Sequence, residues 1–131
     1  PVLLVWDEVK RETRDPEHGH NVVFHEFAHK LDMLDGSADG TPLLPTPEEY
    51  QRWSEVCSKE YLELCERVEH GRPTFFDSYA ATDEAEFFAV VTETFFCKPE
   101  NMKHYHPKLY QVLQNFYRQD PAEKVFTNPL P

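Results

Sequence analysis

Three observations predict a mainly α-helical domain with one short strand near its start. Apolar residues recur at steps of three and four along much of the chain. Capping and stopping residues flank each of those stretches. One run alone, Val2-Leu3-Leu4-Val5-Trp6, is short, apolar and rich in β-formers.

That run is read as the strand. Asp7 to His20 is polar, carries the Asp15-Pro16 turn signal, and is read as a loop. Asn21 can cap a helix through Val22–Leu34, with Gly36 placed to stop it. Ser37 to Pro45 holds Gly40, Pro42 and Pro45 and is a loop. Thr46-Pro47-Glu48-Glu49 combines an N-cap, a proline at the first helical position and a capping-box glutamate. Behind it, Tyr50, Trp53, Cys57, Tyr61, Leu64 and Val68 form one apolar stripe, ended by Gly71 and Pro73. Arg72 to Thr82 reads as a loop. Asp83 opens a helix from Glu84 to about Cys97, stopped by Pro99. A last helix spans Lys108 to Arg118, with Leu109, Val112, Leu113 and Phe116 inward. The tail from Asp120 is punctuated by prolines.

A chain of 131 residues makes one domain, expected over 1–131. It opens on Pro1 straight into an apolar run, so it is expected to be a piece of a longer protein lacking an N-terminal part. The net charge of −11 repels phosphate backbones and anionic membrane surfaces, so neither nucleic acid nor membrane is expected as a partner. No apolar run approaches the ~20 residues of a membrane span. Cys57, Cys65 and Cys97 are odd in number, scattered and without a CxxC pair. They argue against a disulfide framework and for a reducing, cytoplasmic setting. Cys57 and Cys65 fall on the apolar stripe and read as packing.

The chemistry concentrates in His25-Glu26-Phe27-Ala28-His29, an HExxH motif. Residues four apart stack on one helix face, so His25 and His29 can share a metal ion. Glu26 lies beside them, placed to reach a water that the metal activates. Zinc suits two imidazoles and a third ligand, one position being left for water. Chance alone yields the motif roughly 0.04 times in a shuffled chain of this composition, so its setting matters. Val22, Val23, Phe24, Phe27, Ala28 and Leu31 surround it with uncharged side chains, and a buried His-Glu-His trio needs partners.

A third ligand should be an acidic residue inside an apolar helical run. Glu86 fits, embedded in Ala85-Glu86-Phe87-Phe88-Ala89-Val90-Val91. The competing explanation is a capping box, with Asp83 as cap and Glu86 reaching back to its amide. Glu93 follows seven residues on, on the same face, and ranks second to Glu86 as ligand. It is expected to orient the site or to be a core polar residue. Asp32, seven after His25, can accept the second ring N–H of a ligand and hold its tautomer; a surface aspartate at a helix end is the alternative. Tyr79, in the loop before the Glu86 helix, can donate to a developing oxyanion or simply pack. His18, His20, His104 and His106 sit in loops as solvated pairs, and His70 suits a helix C-terminus. No GxSxG elbow occurs, so a serine nucleophile has no support.

The blocks His25-Glu26-Phe27-Ala28-His29-Lys30-Leu31-Asp32 and Ser78-Tyr79-Ala80-Ala81-Thr82-Asp83-Glu84-Ala85-Glu86-Phe87-Phe88-Ala89-Val90 together resemble the Mlc titration factor A (MtfA) family of zinc metallopeptidases. Val2–Trp6, Phe95-Phe96 and Asn115–Pro121 are similar to that family as well. The resemblance implies a gluzincin: a zincin-like catalytic domain of a cytoplasmic peptidase, binding one zinc ion. His25 and His29 match its first two ligands, Glu26 its general base, Glu86 its glutamate ligand and Tyr79 its transition-state tyrosine. It implies a peptide or protein substrate. It also brings in a rival class, a binding module that sequesters a transcription repressor, with zinc structural or vestigial. A third reading is a zinc hydrolase acting on a non-peptide amide.

Overall fold

The computed structural model describes residues 22–123. The strand expected at Val2–Trp6, the loop carrying His18 and His20, and the cap Asn21 lie outside them, as does the tail from 124 onward. The described chain is mainly helical, as predicted. It comprises α1 (Val22–Asp32), a 3-10 turn (Met33–Asp35), α2 (Pro47–Glu69), a second 3-10 turn (Ser78–Ala81), α3 (Glu84–Cys97), α4 (Pro99–Tyr105) and α5 (Pro107–Tyr117). No strand occurs among the described residues.

The capping signals act where the sequence places them. Gly36 closes the turn after α1 in the left-handed region, φ +84°, and donates to the Met33 carbonyl at 2.9 Å. Thr46 Oγ1 accepts the Glu49 N–H at 3.1 Å, with Pro47 at the first position of α2. Asp83 accepts the Glu86 N–H at 2.8 Å and starts α3. The α2 stripe buries Trp53 and Leu64, and its Cys57, Tyr61 and Val68 pack half-buried against the core. Its first residue, Tyr50, is exposed and instead accepts the Leu44 N–H.

α3 is the centre of the molecule. Every residue from Phe87 through Phe95 is buried, because α1, α4, α5 and the second 3-10 turn all pack on it. Trp53 meets Phe88 and Phe116 edge-on, with ring centroids at 5.6 and 5.7 Å, joining α2 to α3 and α5. All three cysteines are free thiols. The Cys57 thiol is pushed up to about 12 by burial and by Glu60, as befits a packing residue. No helix among the described residues is long and apolar enough to cross a membrane.

Two predicted loops turn out to hold helix. Pro99 was expected only as a stop, yet it is the first residue of α4, and Pro107 likewise begins α5. Proline fits the first helical position because its missing N–H would be unpaired there anyway. The same residue therefore ends one helix and starts the next. Tyr79, expected in a loop, lies in the second 3-10 turn, capped by Asp77.

Candidate metal centre

α1 lies along α3 in antiparallel register. Phe24 stacks on Phe96 near one end, with centroids 4.8 Å apart. One residue on, His25 meets Glu93, and a helical turn later His29 meets Glu86. Phe27 and Ala28, on the buried side of α1, fix its roll about its axis. The i, i+4 spacing then aims both imidazoles at α3, and the seven-residue spacing of Glu86 and Glu93 presents both carboxylates to them.

Three donor atoms converge. Glu86 Oε1 lies 2.8 Å from His25 Nε2 and 3.1 Å from His29 Nε2, and the two nitrogens are 3.2 Å apart. His25, His29 and Glu86 form a candidate metal-holding group, each partly buried. The His25 Nδ1–H donates to Glu93 Oε1, whose side chain is 1% exposed. A carboxylate only accepts, so this bond keeps the proton on Nδ1 and leaves a lone pair on Nε2. That lone pair faces a carboxylate oxygen and another ring nitrogen. Two imidazoles and a carboxylate converging in this way make a candidate cation site.

The other expected residues are less uniform. Glu26 is exposed on the turn between the two histidines. Tyr79 is 53% exposed, and its ring centroid stands 6.2 Å from that of His25. Asp32 is fully buried rather than on the surface, but its carboxylate bonds a loop amide and no imidazole. Its Oδ2 accepts the Gly40 N–H at 2.8 Å, and its Oδ1 has no hydrogen-bond partner among the described residues. Burial, and then Asp39 beside it, raise the Asp32 carboxyl above the usual aspartate range, against the opposing Gly40 N–H. The ring-orienting bond to His25 is made by Glu93. The capping box at α3 is half present: Asp83 caps the Glu86 amide, while the Glu86 carboxylate goes to the histidines. His106 pairs with Glu60 at 2.8 Å and His70 Nδ1 lies 2.8 Å from the Glu66 carbonyl, so neither points to this centre. Gly40, the partner of Asp32, carried no sequence signal beyond that of a loop.

Residues 1–118 match the model of the glucose-regulated metallo-peptidase M90 family. An uncharacterized Synechocystis protein, slr2042, is 46% identical over 120 residues, covering 92% of this chain and 44% of that protein. The Mlc titration factor A of Pectobacterium atrosepticum is 38% identical over 128 residues, covering 95% of this chain and 47% of its own. That of Klebsiella pneumoniae is 37% identical over 133 residues, covering 99% and 49%. The chain thus spans about half the length of the curated relatives it matches. A match running from the first residue through α5, across both helices that carry the candidate ligands, makes this chain a member of the glucose-regulated metallo-peptidase M90 family.

Proposed function

We propose that the chain is the catalytic core of a zinc-dependent peptidase of the gluzincin type, zincin-like in arrangement and acting on peptide or protein substrates in the cytoplasm. The observation that carries this is the triangle of His25 Nε2, His29 Nε2 and Glu86 Oε1, with edges of 2.8, 3.1 and 3.2 Å. Three tetrahedral zinc ligands at ~2.0–2.1 Å from the ion stand about 3.3 Å from one another, so the donor set fits the ion in type and in span. His25, His29 and Glu86 would hold it, with Glu93 fixing the His25 ring. A bound zinc supplies Lewis acidity, polarising a carbonyl and lowering the pKa of a water toward ~7.

The chain's own residues do the rest. Glu26, exposed beside His25, accepts a proton from the attacking water and passes one to the leaving amine. Tyr79, standing over His25, donates its hydroxyl to the oxyanion of the tetrahedral intermediate. A second reading is favoured by the name of several relatives, titration factor: a module that sequesters a transcription repressor. It needs neither Glu26 nor an open metal position.

Glu26→Gln separates the two. Zinc stays bound, and peptide hydrolysis falls by at least ~10²-fold, the scale of a general base. Unchanged turnover in this variant sinks the proposed mechanism. Full zinc occupancy and tight repressor binding, with no cleavage by the unmodified protein, establish the module instead.

A further inference from the structure

Between α1 and α2 the chain is held at one glycine from three sides. The Gly40 N–H donates to Asp32 Oδ2 at 2.8 Å. Its carbonyl accepts Trp53 Nε1 at 3.3 Å. Its Cα faces α3 so closely that a Cβ there would stand 2.4 Å from the Glu84 carbonyl oxygen and 2.8 Å from its carbon. The residue also sits at φ +80°, where side chains are rarely accommodated. These contacts reach three helices: Asp32 ends α1, Trp53 is buried in α2, and Glu84 begins α3.

Two of those residues are close neighbours of the centre. Asp32 follows His29 by three residues, and Glu84 precedes Glu86 by two. We propose that Gly40, anchored by Asp32, is a positioning residue for the metal centre, setting how closely the first turn of α3 approaches the last turn of α1. This rests on reading His25, His29 and Glu86 as the ligands. The two nearest atoms opposite Gly40 are backbone and the third is the Glu84 Cβ, which no side-chain rotation moves, so an added methyl is not relieved that way. From 2.4 Å to ordinary contact near 3.4 Å, the two backbones must part by about an ångström. A carboxylate that bonds zinc at ~2.0–2.2 Å loses its place when its helix moves that far.

The fold carries its own control. Gly36 has φ +84°, but nothing lies within 4 Å of a Cβ built on it. Gly36→Ala therefore suffers the conformational strain without the collision. The buried Asp32 supplies the second arm: Asp32→Asn keeps an oxygen for the Gly40 N–H, and Asp32→Ala does not.

The test measures zinc affinity by chelator competition, the visible spectrum of the cobalt(II)-substituted chain, and thermal unfolding. Gly40→Ala lowers zinc affinity by at least ~10-fold and alters the cobalt spectrum, the scale seen when a ligand's support is lost. Gly36→Ala lowers thermal stability and leaves affinity and spectrum as in the parent. Asp32→Ala weakens zinc binding, and Asp32→Asn restores it. A folded Gly40→Ala with parental affinity and spectrum overturns the proposal. If Gly40→Ala does not fold, equal affinity in Asp32→Ala and Asp32→Asn overturns it. If the parent itself binds no zinc, the ligand reading fails separately. The 15N shifts of the His25 imidazole, which report its contact with Glu86, then decide. They move in Gly40→Ala and not in Gly36→Ala, and an unmoved His25 overturns the positioning role.

Discussion

A buried carboxylate costs several kcal/mol when left without a partner, so each one in this core has to be explained by what it touches. Glu93 touches His25, and removing that acceptor frees the ring to change tautomer and rotate. Glu93→Leu should lower zinc affinity by ~10–100-fold, whereas Glu93→Gln, which still accepts from Nδ1–H, should lower it far less. Equal losses in the two variants would show that charge, not ring orientation, is what Glu93 contributes. Asp32 behaves differently, since one of its two carboxylate oxygens has no partner among the described residues. Its raised pKa means that the folded state holds the proton more tightly than the unfolded chain. The stabilisation is complete below the unfolded pKa and is lost as pH rises through the folded value. Asp32→Asn, uncharged at every pH, should therefore gain stability over the parent at neutral pH and lose that advantage in acid. Thermal melts at both ends of that range check the sign. At this scale the positions of the site residues were legible, because helical periodicity alone puts His25 with His29 and Glu86 with Glu93. What Asp32 binds was not, because its partner is a loop amide whose location depends on the tertiary fold.

Helices here are set more by their ends than by their middles. Thr46 accepts the Glu49 amide, Asp83 accepts the Glu86 amide, and both were legible because capping is a local exchange of one side chain for one unsatisfied N–H. Thr46→Ala should cost about 1 kcal/mol by denaturant melts, with no effect on zinc affinity, since the cap lies on α2 and the proposed ligands on α1 and α3. A much larger loss, or weakened zinc binding, would mean that α2 is coupled to the centre more tightly than through Trp53 and Gly40. The missed element, α4, shows the limit of reading ends. It has seven residues and two prolines on its borders, too short to display a helical period. Its Met102 is fully buried, so packing beneath α3 and α5 selects a helix that local sequence leaves undecided.

Across the whole molecule, α1 and α3 are joined at one end by aromatic stacking and at the other by the convergence of His29, His25 and Glu86. The first contact is hydrophobic and self-sufficient. The second gathers two imidazoles and a carboxylate, the donor set a cation would bind. Ligand binding to the folded state alone stabilises it by RT ln(1 + [L]/Kd), about 4.1 kcal/mol at a thousandfold excess over Kd. Zinc at that excess should therefore raise the melting temperature by roughly 10–30 °C, and a chelator should reverse the rise. A chain of this size shifts by roughly 2–8 °C for each kcal/mol. His29→Ala removes a ligand that is only partly buried, so its apo form should fold and melt near the parent apo form. It should show little zinc-dependent shift. A zinc shift retained in full by His29→Ala would place the bound ion elsewhere, and with a net charge of −11 there are many exposed carboxylates to hold one loosely. Calcium at the same concentration separates the cases. A loose carboxylate site prefers the hard cation, whereas a centre built on two imidazoles responds to zinc and cobalt and ignores calcium.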